Sequence, residues 1–297
     1  MSLLTSAFQN IFLYITTVLI WGSSWIAIKY QLGTVDPMVS VTYRFLIASG
    51  ISWLFCRLSG RLLTFSLIDH GFIFLQGVSL FALNYWLFYI SELTLTSGLA
   101  AVIFSTIVLM NMINGVLFLK NRMELSVLSG ALFGLLGIIL VFWTEVSDLN
   151  TGRENMVAIS LAILATLLAS VGNITSARNQ RSGIPVVQAN TLGMLYGAIF
   201  MLVLSWLTGR KLTFELTLPY ISSLLFLSIF ASIIAFWTYL TLLGRVGVER
   251  VAYVTLLFPL VALAISTIAE GYIWTHHAGV GILFILVGNL MIIKRKF

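Results

Sequence analysis

WGSSWIAIKYQ at residues 21–31 and SVGNITSARNQ at residues 170–180 follow one pattern, 149 positions apart. Lys29 falls on Arg178 and Gln31 on Gln180, and a proline opens the next hydrophobic run in each case, Pro37 and Pro185. Further on, Tyr89 falls on Tyr239, Gly130 on Gly281 and Gly137 on Gly288. Each stretch belongs to a half of the chain that carries five hydrophobic runs. Five crossings are an odd number, so the second copy must lie upside down in the membrane relative to the first. Inverted repeats of this kind mark secondary transporters, with a substrate site near the bilayer midplane between the halves.

Composition supports the membrane reading. The chain is 60% hydrophobic and 9% charged, with mean hydropathy +1.05. Soluble domains carry about 25% charged residues, and a membrane-crossing helix needs about 20 apolar residues. Spans fall near 10–29, 37–57, 70–90, 98–119, 125–143, 157–176, 186–207, 218–241, 250–269 and 277–293. The expected fold is therefore an all-α integral membrane protein of ten transmembrane helices in two inverted five-helix repeats. The polar connection TEVSDLNTGREN (144–155) divides them, giving repeats at 1–148 and 149–297. No stretch is left for a soluble catalytic or nucleic-acid-binding module.

The net charge of +6 invites a nucleic-acid reading, but its distribution points to topology. With the N-terminus inside, Arg57, Arg61, Lys120, Arg122, Arg178, Arg181, Arg245, Arg250, Lys294, Arg295 and Lys296 face the cytoplasm. Lys29, Arg153, Arg210 and Lys211 face out. This is the positive-inside bias, and it places both termini in the cytoplasm. Residues 1–10 have no basic n-region, so the first run reads as a retained span. The lone Cys56 excludes an intrachain disulfide and a cysteine metal cluster.

Polar groups deep in a span are costly and thus informative. Arg44 lies eight residues beyond Asp36, on the order of 10 Å below the outer surface at the helical rise. It either binds a substrate carboxylate, which its fork suits, or clamps neighbouring carbonyls. Trp21 and Trp25 share one helix face with Gly22 between them, where the helix can bend. With Asn84, Trp86, Asn173, Trp237 and Tyr253 they could line a pocket of the usual kind, aromatic with a few placed polar groups. The competing reading is packing and interfacial belts. Pro259 breaks the ninth span and acts as a hinge or a tolerated kink. Gly130, Gly134 and Gly137, with Gly279, Gly281 and Gly288, mark close helix contacts, within the bundle or in a homodimer.

No Asp, Glu or His falls deep in a span. Glu92, Asp36 and Glu270 at the outer edge are the available proton sites, each otherwise a solvated loop charge. Neither a hydrolase constellation nor a Walker A motif appears. The expectation is no enzyme, no metal and no cofactor.

At WGSSW (21–25) and YRFLIASG (43–50) the chain resembles the EamA-type family of the drug/metabolite transporter superfamily. The resemblance continues through ALNYWLFYISELTLTSGLAAVI (82–103) and LTLLGRVGVERVAYVTLLFPLVALAISTIAEG (240–271). It implies a substrate cavity lined by the first four helices of each repeat. It also implies export of amino acids, other small metabolites or drugs across a bacterial inner membrane. Trp21, Gly22, Arg44, Asn84 and Pro259 fall on the family pattern. The family's Gly-Glu pair after the fourth helix is replaced here by Lys120-Asn121 in the first half, and Ala269-Glu270 stands in the second.

The expected function is alternating-access export of an amino-acid-sized amphipathic metabolite, with the lipid bilayer as surroundings and no nucleic-acid partner. The rivals are a lipid carrier between leaflets, which needs a side opening between helices, and a non-transporting scaffold or sensor.

Overall fold

The computed structural model describes residues 2–95, 97–121, 125–147, 152–258, 260–261, 264–265 and 274–293. Among them every regular element is helical. Seven helices are long and apolar enough to cross a membrane: Phe8–Lys29, Pro37–Leu58, Leu67–Ser91, Leu99–Leu119, Arg153–Arg181, Val186–Leu207 and Leu218–Val246. Val127–Val141 and His276–Gly288 are shorter apolar helices. The expected ninth span lies partly outside the described residues, and Pro259 and Glu270 lie wholly outside them.

The first crossing is α1 (Ser2–Lys29) and the second α2 (Pro37–Leu58). Asp36 caps α2 by accepting the Met38 N–H at 2.9 Å, and Pro37 stands where no intrahelical N–H is needed. The third crossing is built of α3 (Leu67–Val78), a π-helical stretch Ser79–Leu83 and α4 (Asn84–Ser91). It starts before the expected residue 70 because Ser66 and Asp69 cap it reciprocally. The Asp69 N–H donates to Ser66 Oγ, and Ser66 Oγ donates to Asp69 Oδ2 at 2.7 Å. Next come α5 (Ser97–Ser105), α6 (Ile107–Leu119), α7 (Leu125–Val141) and α8 (Trp143–Ser147).

The second half opens with α9 (Arg153–Arg181), longer at both ends than its expected span 157–176. Its polar end stays helical because Ser176 and Asn179 are buried against protein rather than lipid. After α10 (Val186–Leu207), the expected eighth span repeats the design of the third: α11 (Leu218–Phe226), a π-helical stretch Leu227–Ile234, and α12 (Ala235–Val246). Then follow α13 (Val248–Val251), a 3₁₀ turn Ala252–Leu256 and α14 (His276–Ile293). No sequence signal pointed to the π stretches, which widen a helix by one residue per turn and gather at functional sites.

α2 packs along α10 and α7 along α14. The second contact runs through glycines. A Cβ on Gly137 would lie 2.6 Å from the Gly281 carbonyl oxygen, and one on Gly281 2.5 Å from that of Gly137. One on Gly288 would lie 2.7 Å from the Gly130 carbonyl oxygen. The glycines of the two aligned sets therefore touch crosswise, Gly137 with Gly281 and Gly130 with Gly288, and these contacts lie within one chain.

Candidate functional site

Between the two halves lies a cavity lined from α1, α4, α5, α6, α9, α12 and, in the expected ninth span, Thr255 and Phe258. It holds about 660 Å³ of empty space, counting its open part. Trp21 is one of its lining residues. Its ring meets Phe236 at 4.8 Å, Tyr239 at 4.9 Å and Phe258 at 5.4 Å between centroids. Its indole N–H donates to the Ala231 carbonyl at 2.9 Å, inside the second π stretch. The widened turn and the tryptophan thus fix each other. Gly22 lets α1 come close to Val261 in the expected ninth span, since a Cβ there would lie 2.5 Å from Val261 Cβ.

The polar groups are few. Asn173 donates from Nδ2 to the Tyr239 hydroxyl at 3.0 Å, and its Oδ1 is buried without a hydrogen-bond partner. Outside the lining, Asn111 Oδ1 accepts from that same Nδ2 at 3.5 Å, and Asn111 Nδ2 is unpaired. Ser24, Asn84, Thr255 and Glu92 complete the polar lining. Glu92 is the first residue past α4, where the cavity reaches the ends of α1 and α4 at Ile28. Burial pushes its carboxyl up to about 8, against the pull of the Lys29 charge.

Towards the other end, a buried amide network joins the third crossing to α9 and α10. Asn179 donates to Gln76 Oε1 at 3.0 Å, and Gln76 donates to Asn190 Oδ1 at 3.1 Å. At its edge Arg178 pairs with Asp69 at 3.0 Å and covers the Phe72 ring at 3.8 Å. None of these residues lines the cavity. They tie the two halves together below it.

Of the residues singled out by sequence, Trp21, Asn84 and Asn173 line this cavity. Arg44 does not. It is buried, with Nε donating to Ser232 Oγ at 2.9 Å and its guanidinium 4.3 Å above the Tyr85 ring, which does line the cavity. Arg44 Nη1 has no hydrogen-bond partner. Tyr253 faces away, its hydroxyl donating to the Val127 carbonyl in the first turn of α7. Trp86 packs among apolar side chains of α4, α5 and α9. Trp237 lies in a separate side groove between α2, α10 and α12, with Ile51, Phe55, Arg61 and Asn190. The Trp25 side chain lies outside the described residues. The sequence did not single out Phe236 or Phe258, and it offered Glu92 only as an outer-edge proton site or a solvated loop charge. An acid one residue beyond a span end resembles any loop charge, and phenylalanine is everywhere in such a chain.

Residues 9–143 match the EamA-like transporter family, and residues 156–294 match it again. Protein PagO of Salmonella typhimurium is 24% identical over 96% of this chain and 92% of its own length. A probable amino-acid metabolite efflux pump of the same organism is 26% identical over 93% of this chain and 92% of its own. A crystal structure superimposes with a TM-score of 0.80 at 15% identity, covering 97% of each chain, a likeness of fold alone.

Proposed function

We propose that this chain, which belongs to the EamA-like transporter family, exports amino acids or similar small amphipathic metabolites across the bacterial inner membrane by alternating access. The coarser statement stands on the family and the named relatives: a multi-pass membrane transporter of the drug/metabolite type. The observation that carries the finer one is the cavity. An aromatic chamber around Trp21, with Asn84 and the unpaired Oδ1 of Asn173 among its lining residues, suits a ligand that is part apolar and part hydrogen-bonding. The relative named as a probable amino-acid metabolite efflux pump agrees with that class.

Ten helices in two inverted repeats, with both ends cytoplasmic, are part of this reading. The double family match supports it, as do the paired π stretches and the mutual glycine contacts. So does a pair of matching ties. The end of α1 holds the eighth crossing, with Gln31 donating to the Tyr220 carbonyl at 3.0 Å. The end of α9 holds the third, through Asn179 and Gln76. With the basic end in the cytoplasm, the cavity reaches outward and the amide network closes the inner side. Inward opening then requires the Gln76–Asn179–Asn190 network to part. Arg44, behind Tyr85, would reach a substrate carboxylate only when that ring moves.

Counterflow in proteoliposomes tests the reading. Protein loaded with unlabelled amino acids and metabolites should exchange one class of labelled solute. Folded protein that exchanges none would overturn it. The separate side groove between α2, α10 and α12 favours one rival, a lipid carrier, as a place where an acyl chain could lie between helices. Movement of a labelled phospholipid between leaflets, with no solute exchange, would put that rival first.

A further inference from the structure

Three acids at the outer edge stood open as proton sites, and the structure treats them differently. Asp36 is engaged twice, capping α2 and pairing with Arg210 at 3.3 Å. Glu270 lies outside the described residues. Glu92 lines the central cavity, and among the described residues it is the one carboxylate that does. Its Oε1 is shielded from water and has no hydrogen-bond partner.

That placement has a chemical consequence. The cavity wall is mostly aromatic and aliphatic, including Ile28, Phe88, Phe104 and Ile107. An ionised carboxylate with a bare oxygen against such a wall is strongly disfavoured. A neutral carboxylic acid is not. A cation placed beside Glu92 reverses the preference. The titratable groups that face it are Lys29 from the end of α1, exposed to solvent, and Tyr89 from its own helix. α5 carries none, the cavity residues of the expected ninth span are Thr255 and Phe258, and Arg153 and Glu154 at the start of α9 are exposed. Tyr239 and Tyr85 lie on the same cavity wall.

We propose that Glu92 is the proton-binding site of the cavity, holding a proton while the cavity is empty and releasing it when the ammonium group of a cargo molecule takes its place. The O–H bond breaks, the proton passes to water, and the carboxylate left behind pairs with the ammonium. No other bond changes. The first half of this proposal concerns the empty protein. The second rests on the transport reading above, and implies cargo with a protonated amine.

Infrared titration of the full chain in nanodiscs tests the first half, with no cargo present. A protonated-carboxyl band should vanish with a midpoint near pH 8, and Glu92→Gln should lack it. A band that persists in Glu92→Gln, or a Glu92 already ionised at neutral pH, overturns the proposal. The second half is tested in proteoliposomes with the standard amino acids, each labelled in turn. Under an imposed proton gradient the wild type should accumulate its probe above equilibrium. Glu92→Gln should only equilibrate, and Glu92→Asp should restore accumulation with a shifted pH midpoint. Equal accumulation by wild type and Glu92→Gln overturns the coupling. Exchange of no amino acid by either protein would instead count against the transport reading, while the infrared result still decides the proton site.

Discussion

Single residues show where this chain departs from easy chemistry. Lys120 ends α6 with φ 54°, a left-handed conformation, and its N–H donates to the Gly115 carbonyl. The EamA pattern has glycine at this place, and glycine alone adopts such a φ without strain. Lys120→Gly should therefore raise stability by about 1 kcal/mol, read by thermal unfolding in detergent. Arg44 is a buried cation whose Nη1 lacks a hydrogen bond. Arg44→Ala should lower both the melting temperature and counterflow, because Ser232 and the Tyr85 ring lose their partner. Unchanged transport with unchanged stability would remove the role given to it. Glu92 makes stability depend on pH. Its carboxyl is pushed from the ordinary 4.5 to about 8, so the folded state keeps a proton that the unfolded chain gives up. The stabilisation is complete below pH 4.5 and is lost as pH rises through 8. Melting curves across that window should fall more steeply for wild type than for Glu92→Gln.

At the scale of elements, the α7–α14 contact depends on absent side chains. Gly137 and Gly281 each place backbone against the other's carbonyl. In lipid no hydrophobic force drives helices together, so close backbone approach supplies the packing. Gly137→Val should separate the pair and cost roughly 1–3 kcal/mol by overpacking, seen as a lowered melting temperature. The same change at Gly279, where an added Cβ meets nothing within 4 Å, should leave the melting temperature nearly unchanged. The broken third crossing and expected eighth span serve a different end. The stretch Leu227–Ile234 provides the Ala231 carbonyl for Trp21 and the Ser232 hydroxyl for Arg44. One widened helix thereby anchors both the Trp21 ring of the cavity and the buried Arg44.

At the scale of the whole molecule, charged residues gather at the two ends of the helices. Arg245 reaches Gln9 and Asn10 near the start of α1, and Arg181 reaches the Leu119 carbonyl and Asn121 at the end of α6. Arg210 and Asp36 meet at the opposite end. Cysteine accessibility in intact cells tests which end is inside. In a Cys56→Ser background, Arg61→Cys should resist an impermeant thiol reagent added from outside, and Gly152→Cys should react with it. The reverse result would invert the molecule in the membrane.

By itself the sequence determined that this chain is a multi-pass membrane protein and where along it the positive charge lies. Those follow from composition, helix-length apolar runs and lysine–arginine asymmetry, all additive along the chain. It also pointed to Trp21, Asn84 and Asn173, because polar and amphipathic groups in mid-span have few places to go. It could not say that Trp237 and Tyr253 face elsewhere. Lipid is as apolar as the protein interior, so a hydrophobic pattern does not tell the lipid-facing side of a helix from the cavity side. Trp237 is 42% exposed and Trp21 9%, yet both read as mid-span tryptophans. Only tertiary structure decided between them, by setting the rotation of each helix. It likewise separated the capped and paired Asp36 from the cavity carboxylate Glu92 by bringing α1, α4, α9 and α12 around one space.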